Sequence, residues 1–259
     1  ILSVETKDKK ENSYIIINAD TTDFASKYDS TVKHICLRFR NPEDGVRLWN
    51  IIDTLKAGIL IYVWSNVLEI PEIRDIIQMR YPLLLKQYHG ERYAVETFSN
   101  APSGSGLPYQ LFFNDYEDTV NGWTYDRQAL TSDTVFSGYY AERYTPSKEF
   151  GTSFRYVVEN IPPKGIKVFT ALRFLRNDDK SCHLVITVIR NQQTIHYHAI
   201  HLVEYDLKPK SWNLAFTSQY YKHNKLRKGD EIVVYAYNSG KNNQLYIDDF
   251  LVKIEDVNK

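Results

Sequence analysis

Two acidic motifs stand far apart in the second half of the chain. The first reads L-F-F-N-D-Y-E from Leu111 and is followed by Gly122-Trp123, and the second reads Q-L-Y-I-D-D-F-L-V-K-I from Gln244. Alternating apolar residues make each motif a predicted strand that contains carboxylates. Because acids are rare in buried strands without partners, these carboxylates need cations, donors or solvent.

If the first and last strands of this region are neighbours, their acids meet. Carboxylate oxygens from such a group could hold a hard cation such as calcium. The alternative is that the acids lie in loops or pair with lysine and arginine. The candidate ligands are Asp115, Glu117, Asp248 and Asp249.

Aromatic residues form the second candidate set. The chain has 20 tyrosines, 12 phenylalanines and 4 tryptophans, and flat rings suit pleated β surfaces. Exposed rings could also stack on the apolar face of a sugar, although most of the tyrosines must belong to the core or to cross-strand pairs. Trp123 is expected in the core. The candidates for sugar stacking are Trp212, Tyr220, Tyr221, Tyr197 and Tyr237.

Other chemistry has less support in the sequence. His196, His198 and His201 could bind zinc, and alternation places the first two on one face of a strand, but exposed strand histidines are commoner. Polar residues also stand near strand ends in the first part of the chain, where loop chemistry explains them equally well; they are Asp20, Asp23 and His89-Gly90-Glu91. We find no G-x-S-x-G, no H-E-x-x-H and no Cys/His nucleophile pattern, so no catalytic residue is predicted.

Charge and composition limit the possible partners. Lysine plus arginine equals aspartate plus glutamate, 32 each, which disfavours nucleic acid. No apolar run reaches the roughly 18 residues of a membrane span. The chain begins without Met or a signal segment, which we interpret as a trimmed mature protein or an excised soluble piece. Cys36 and Cys182 show no metal-ligand spacing and are expected to be buried free thiols.

Residues 1–98 predict a small α/β domain with one mixed sheet. Its predicted order is strand, strand, helix, strand, helix, strand, with strands at Tyr14–Asn18, His34–Arg40, Ile59–Trp64 and Arg92–Phe98. The first helix begins at Asn41-Pro42 and stops at Gly58, with Val46, Trp49, Ile52 and Leu55 on its inner side. The second helix begins at Pro71 and is interrupted by Pro82.

Residues 99–108, S-N-A-P-S-G-S-G-L-P, have the composition of a linker, since they offer turns and no core residue. From residue 109 to residue 259 the apolar residues recur with a period of two, which predicts an all-β sandwich of two sheets. The whole chain is therefore predicted as α+β, with two domains. The predicted strands are Leu111–Tyr116, Val135–Glu142, Ser153–Val158, Lys167–Phe174, His183–Arg190, Thr194–His201, Trp212–Thr217, Glu231–Tyr237 and Leu245–Ile254.

The two acidic motifs resemble those of jelly-roll carbohydrate-binding modules, in which an opening D-F-E…G-W and a closing Y-I-D-D-F/V flank a structural cation. The resemblance implies a jelly-roll sandwich and points to Glu117 and Asp249 as calcium ligands, with Asp248 less directly implied. Tyr116 stands where the commoner pattern has phenylalanine. The resemblance also implies a glycan or cell-envelope polysaccharide as the partner, stacked on exposed Trp or Tyr.

The first domain closes with I-P-E-I-R-D-I-I and Y-P-L-L-L-K-Q-Y-H-G-E-R-Y-A-V-E-T-F-S. These segments resemble the soluble tail of bacterial membrane glycosyltransferases, which implies a membrane-embedded remainder and an extracytoplasmic, periplasmic or cell-surface location. The favoured interpretation is a non-catalytic accessory protein. Two alternatives stay open: a carbohydrate-active enzyme with its site in the first domain or the interdomain cleft, and a structural adhesion or assembly module.

Overall fold

The computed structural model describes residues 13–18, 33–36, 42–55, 59–65, 71–81, 83–89, 93–99, 109–118, 122–124, 126–178, 180–208, 210–241 and 244–257. The chain divides into two compact units, Ile1–Leu107 and Pro108–Lys259. The predicted linker falls outside the described residues except for Ser99, so the predicted domain boundary stays a prediction.

The described residues of the first unit form one mixed sheet, sheet A, and two helices. Sheet A has the order β2-β1-β3-β5-β4, in which β1 is parallel to β2 and β3, and β5 is antiparallel to β3 and β4. The elements are β1 Ser13–Asn18, β2 Lys33–Cys36, α1 Pro42–Thr54, β3 Ile59–Ser65, α2 Pro71–Gln78, β4 Leu83–His89 and β5 Tyr93–Ser99. Strand β4 is an addition to the predicted order.

The apolar pattern explains most of this layer. Strand β3 is central in sheet A and is buried on both faces from Leu60 to Val63, as its continuous apolar run predicted. Helix α1 buries Leu48 and Ile52, whereas Val46 and Trp49 are half-buried, so the predicted inner side is rotated by part of a turn. No helix among the described residues is long and apolar enough to cross a membrane.

A buried ion pair joins α2 to sheet A. Arg74 donates two hydrogen bonds to the fully buried carboxylate of Glu96 on β5, one of them from Nε to Oε2 at 3.0 Å. Gln87 on β4 also donates to Glu96, through Nε2 to Oε1 at 2.8 Å. A buried carboxylate needs such donors, and these three residues therefore fix the helix against two strands.

Where the structure describes it, the second unit is all-β apart from three short 3₁₀ turns at Arg127–Ala129, Leu202–Tyr205 and His223–Lys225. Predicted and observed strands agree closely at His183–Arg190 and Glu231–Tyr237. The strands are β6 Tyr109–Asn114, β7 Trp123–Thr124, β8 Leu130–Thr131, β9 Ala141–Tyr144, β10 Phe150–Val157, β11 Gly165–Arg176, β12 His183–Arg190, β13 Gln193–His201, β14 Asn213–Lys222, β15 Glu231–Tyr237 and β16 Leu245–Val257.

Two antiparallel sheets make a sandwich. Sheet B has the order β14-β11-β16-β9-β8 with β6 also paired to β16, and sheet C has the order β13-β12-β15-β10-β7. From β9 to β16 the chain changes sheet at every step except between β12 and β13, which is the strand order of a jelly roll. This agrees with the β-sandwich prediction.

An aromatic cluster fills the space between sheets B and C. The ring of Trp123 lies 5.0 Å from Phe250 on β16 and 5.2 Å from Phe154 on β10, and Phe112 on β6 lies 4.6 Å from Phe154. Trp123 is buried, as predicted. Cys182 is also buried and free, and burial raises the pKa of its thiol to about 12. The side chain of Cys36 lies outside the described residues.

We expect limited proteolysis to cut the chain first within residues 99–108, because proline, glycine and serine there offer no core residue. Mass spectrometry of the early fragments should find pieces close to residues 1–98 and 109–259, each with a cooperative melting transition. First cuts inside either unit, with residues 99–108 intact, would contradict the predicted boundary.

Candidate functional site

The doubled aspartate interrupts the central strand of sheet B. Strand β16 pairs with β9 through residues 245–247 and with β6 through residues 250–255, so its neighbour changes at Asp248-Asp249. Its register with β11 also shifts there, and Asp249 has a positive φ of 45°. This is a β-bulge, which re-aims side chains out of the regular ladder.

Asp248 is fully buried and accepts three backbone hydrogen bonds. Its Oδ2 accepts from the amides of Phe136 at 2.8 Å and Ser137 at 3.2 Å, and its Oδ1 accepts from the amide of Asp249 at 2.8 Å. The hydroxyl of Ser137 donates to Asp249 Oδ1 at 2.7 Å. Both aspartates therefore hold the segment that we call the amide loop, residues 136–140.

Glu117 binds the other end of the amide loop. Its Oε1 accepts from the amides of Tyr139 at 2.5 Å and Tyr140 at 2.9 Å. Gly138 lies between Ser137 and Tyr139 and has a φ of +60°. A Cβ at this position would collide with the carboxylate of Glu117. The first and last acidic motifs thus meet around one loop, as the strand pairing of β6 with β16 requires.

The amide loop corrects one predicted strand. Val135–Glu142 was predicted as a strand, but β9 begins only at Ala141. The physical reason is that the amides of the preceding residues donate to the carboxylates of Asp248 and Glu117 and are not available to a sheet ladder.

Asp115, whose predicted role as a metal ligand stays a prediction, accepts a backbone hydrogen bond in the turn after β6. Its Oδ1 accepts from the amide of Glu117 at 3.2 Å, just after Asn114 Oδ1 accepts from the amide of Tyr116 at 3.0 Å. Tyr116 has a positive φ of 65°, so these side chains stabilise the turn that follows β6. That turn is what brings Glu117 to the amide loop.

The donor atoms of this site suit calcium, because they are carboxylate oxygens of Glu117, Asp248 and Asp249 around a loop that offers backbone carbonyls. Within the described residues no group of three or more His, Cys, Asp or Glu side chains is close enough to hold a metal ion by itself. Burial raises the pKa of Asp248 to about 6, against the opposite effect of its three backbone donors. Calcium at this site stays a prediction.

The histidines of β13 do not form a metal set. His196 and His198 share the inward face, as predicted: His198 Nε2 lies 2.8 Å from Thr217 Oγ1, and the His196 ring lies 5.7 Å from that of Tyr221. His201 belongs to the opposite face, where its ring lies 4.3 Å from that of His183. Asp20, Asp23, Gly90 and Glu91, and the side chain of His89, lie outside the described residues.

The outward face of sheet C carries exposed rings. Phe150 is 58% exposed and stacks on Tyr237, with ring centroids 4.8 Å apart and planes 12° apart. The register continues this row from Tyr237 to His183 and then to His201. The ring of His183 lies 6.0 Å from Tyr237, and burial lowers the pKa of His183.

Two further tyrosines extend this surface along the strands. Tyr235 lies 5.8 Å from Phe150 between ring centroids, and Tyr197 is 58% exposed. The pKa values of Tyr197 and Tyr235 are raised mainly by burial and to a smaller extent by the neighbouring phenols. Val185, on the strand between theirs, is fully buried. We call this surface the aromatic face: Phe150, Tyr235, Tyr237, Tyr197, His183 and His201.

The five predicted stacking residues fall in different places. Tyr197 and Tyr237 belong to the aromatic face. Tyr220, on the outward face of sheet B, is 45% exposed and donates its hydroxyl to the carbonyl of Lys164 at 2.8 Å. Tyr221 is a correction: it is 6% exposed and packs between the sheets, because it alternates with Tyr220 along β14.

Trp212 lies beside the amide loop. It is half-buried, and its ring contacts Phe136 edge to face at 5.9 Å. The guanidinium of Arg173 lies 4.4 Å from the Phe136 ring centroid. Trp212 therefore packs against a residue of the amide loop and does not present an isolated ring for sugar stacking.

Phe150, Tyr235 and His183 were missing from the sequence-based candidates. The signal for them was available, since the Y-A-Y of β15 places Tyr235 and Tyr237 on one face. Beside Phe150 lies a further feature that periodicity could not reveal, a cavity of about 800 Å³ lined by residues 126, 128–131, 143, 145 and 147–150.

The second unit is thus a two-sheet β-sandwich with an exposed aromatic face. No family model matches the chain, and no curated protein matches it. Solved structures similar to it include the xylan-binding CBM22-1 domain of Paenibacillus barcinonensis Xyn10C, 16% identical over 56% of this chain and 94% of that one, with a TM-score of 0.38.

A family 35 carbohydrate-binding module from Clostridium thermocellum is also similar, 15% identical over 55% of this chain and 90% of that one, with a TM-score of 0.30. Similarities this distant carry no argument about this chain, whose fold is described from its own strands. The predicted relation to membrane glycosyltransferases gains no support from these comparisons.

We expect Asp248 to make the chain less stable as pH rises from about 4 to about 6 in the presence of a chelator. Its folded pKa, about 6, lies above the unfolded value, so its contribution to stability is complete below pH 4 and is lost as pH rises through 6. The loss is of the order of 3 kcal/mol. Thermal melts over this range measure it.

Asp248→Asn should flatten this pH dependence, because the amide carries no charge at any of these pH values. Asp133→Asn, which changes an exposed acid in the same unit, is the matched control and should follow the unmodified chain. Equal slopes for all three proteins would contradict a raised pKa at Asp248.

Proposed function

We propose that the second unit binds a glycan on its aromatic face, as a non-catalytic recognition module of an extracytoplasmic protein. The observation that carries the proposal is the parallel pair formed by the exposed Phe150 and the half-buried Tyr237, with the exposed Tyr197 on the same outward face of sheet C. Sugar rings offer an apolar face of matching size, and stacking removes that face from water without needing charge.

The packing of the rings supports binding rather than core formation. Neighbouring strands place Phe150, Tyr237 and His183 side by side, so a ligand would meet rings whose orientation is already fixed by cross-strand contacts. A fixed surface lowers the entropy cost of binding. The partner proposed is a polysaccharide, such as one of the cell envelope.

Calcium at the amide loop is the second part of the proposal. Glu117, Asp248 and Asp249 would hold the ion, which would supply positive charge where one buried and two half-buried carboxylates otherwise repel one another. Those residues fix the segment before β9. The ion's role would be to stabilise the sandwich, and no step of ligand binding depends on it.

Each of the two alternative functions can be tested by an experiment. A carbohydrate-active enzyme would need its site in the first unit or between the units, and hydrolysis of a glycan panel by the full chain would reveal it. An adhesion or assembly module would bind no glycan at all on an array. The membrane-embedded remainder is tested by the gene that encodes the chain, where several membrane spans before Ile1 would favour it.

We expect Tyr197→Ala to weaken glycan binding about tenfold while changing the melting temperature little, because the side chain is 58% exposed and contributes mainly to the outer surface. Tyr220→Ala is the matched control: the same change at a 45% exposed tyrosine on the outward face of sheet B. Affinity electrophoresis in gels containing the glycan selected on an array measures both.

Loss of glycan binding in Tyr220→Ala or Trp212→Ala, with binding by Tyr197→Ala unaffected, would indicate that the glycan binds on the outward side of sheet B. A large fall in melting temperature of Trp212→Ala would place that residue among the structural contacts of the amide loop.

We expect chelation to lower the melting temperature of the second unit and to leave the first unchanged. Bound calcium stabilises only the folded state, by about 2.7 kcal/mol when free ion is a hundredfold above its dissociation constant. Differential scanning calorimetry with and without chelator measures the shift. Glu117→Gln should reduce the response more than Asp248→Asn does. No shift, together with no calcium in elemental analysis, would reject the ion.

A further inference from the structure

Two histidines of the aromatic face lie directly opposite each other on neighbouring strands. His183 on β12 and His201 on β13 are register partners, and their ring centroids are 4.3 Å apart with an angle of 54° between the ring planes. His201 is exposed and His183 is half-buried, so the pair lies at the surface of sheet C. Within the described residues no hydrogen bond joins the two rings.

Ser239 determines which nitrogen of His183 carries the proton. The hydroxyl of Ser239 lies 3.0 Å from His183 Nδ1 and donates to the carbonyl oxygen of Ser181 at 3.2 Å. A carbonyl oxygen can only accept, and a hydroxyl has one proton to give. Both contacts are therefore hydrogen bonds only if Nδ1 is protonated and donates to the Ser239 oxygen. In the neutral ring this leaves a lone pair on Nε2.

The lone pair of His183 is directed toward His201. Strand β12 lies between β13 and β15 in sheet C, and Ser239 follows β15. Because Nδ1 is turned toward Ser239, Nε2 on the other side of the ring is turned toward β13, where His201 lies. Nε2 makes no hydrogen bond within the described residues and is not one of their buried unpartnered atoms, so solvent reaches it. Burial, and then the charge of His201, lower the pKa of His183, which favours the unprotonated Nε2.

Two adjacent imidazole lone pairs suit a first-row transition-metal ion. Imidazole nitrogen is a preferred ligand of Cu²⁺, Ni²⁺ and Zn²⁺, whereas Ca²⁺ takes oxygen ligands. A histidine that binds a metal usually donates its other N–H to an oxygen, as His183 does to Ser239. The pair therefore has both the ligand atoms and the supporting hydrogen bond of a metal site.

The spacing of the rings indicates the coordination geometry. With metal–nitrogen bonds of about 2.0 Å, two imidazoles on one ion have centroids about 4.5 Å apart at a right angle and about 5 Å apart at the tetrahedral angle. The observed 4.3 Å is closer to the right angle. Right angles between neighbouring ligands belong to the tetragonal geometry of Cu²⁺ and Ni²⁺.

We propose that His183 and His201 bind a transition-metal ion, Cu²⁺ most tightly, through one ring nitrogen each, and that Ser239 positions His183 for this role. Within the described residues no group of three or more His, Cys, Asp or Glu side chains forms a metal site, so water fills the other positions on the ion. The site goes beyond the proposed glycan binding and does not depend on it.

The test titrates the full chain, carrying no affinity tag, with Cu²⁺ by isothermal calorimetry. Excess Ca²⁺ occupies oxygen sites, and glycine competes with weak binding by single histidines. We expect one Cu²⁺ ion per chain, which Ca²⁺ does not displace. Electron paramagnetic resonance of the one-to-one complex, prepared without glycine, should show coupling of the copper to two nitrogens.

His183→Gln and His201→Gln should each weaken Cu²⁺ binding by more than the roughly tenfold loss expected for Ser239→Ala, because they remove a ligand whereas Ser239 only orients one. His223→Gln is the matched control, since it makes the same change at an exposed histidine in the turn after β14. Its affinity should equal that of the unmodified chain. Melting temperatures establish that each variant is folded.

Several ions per chain, bound equally by folded His183→Gln and His201→Gln, would indicate adventitious surface binding only and would overturn the site. Displacement by Ca²⁺, coupling to a single nitrogen, or an equal loss in His223→Gln would overturn it as well. Full affinity in Ser239→Ala would overturn the positioning role of Ser239. None of these results bears on glycan binding, which the variants of Tyr197 and Tyr220 test separately.

Discussion

The buried carboxylate of Asp248 imposes the strongest constraint on the second unit. Asp248 stands in β16, the strand to which β11, β9 and β6 all pair. An isolated carboxylate in such a place would be too costly, so the chain must bring donors to it. It does so with the amides of Phe136 and Ser137, and the β-bulge at Asp249 turns the carboxylates toward them.

That constraint reaches the aromatic face through a short chain of contacts. The amide loop ends at Tyr140, and β9 begins with the next residue. Within β9, the buried Glu142 accepts from the amide of Thr152 through both oxygens, at 2.9 Å each, and pairs with Lys148. These bonds fix the turn between β9 and β10, which holds Phe150 and one wall of the cavity. Ligand-facing residues are thus positioned by buried polar bonds.

The fold was predictable wherever one physical signal dominated. The continuous apolar runs of β3 and β12, and the run in β15 that ends in alternation, led to the right strands because burial alone decides those segments. Strand β4 was missed because Pro82 was interpreted only as the end of a helix, although L-L-L-K-Q-Y-H follows it. The segment before β9 has strand-like residues, but its amides bond to acids more than 100 positions away, which local patterns cannot reveal.

The site was less predictable than the fold, because a ring can stack on a sugar only if it lies on the outward face of its strand, and the sequence does not show which face is outward. Tyr220 and Tyr221 are neighbours in sequence and opposite in burial, and only the pairing of β14 with β11 decides which one is exposed. The acids were easier, since pairing of the first and last strands was enough to bring Glu117 and Asp248 to one loop.

Charge divides the outward side of sheet C into two regions with different chemistry. On the aromatic face, burial raises the pKa values of Tyr197 and Tyr235 and lowers the pKa of His183, so each shift favours the neutral side chain. The charged groups further along the same strands, Arg155 and Glu231, pair with each other. Binding on that face must therefore come from ring contacts and hydroxyl hydrogen bonds, which are weak individually and tolerate many sugars.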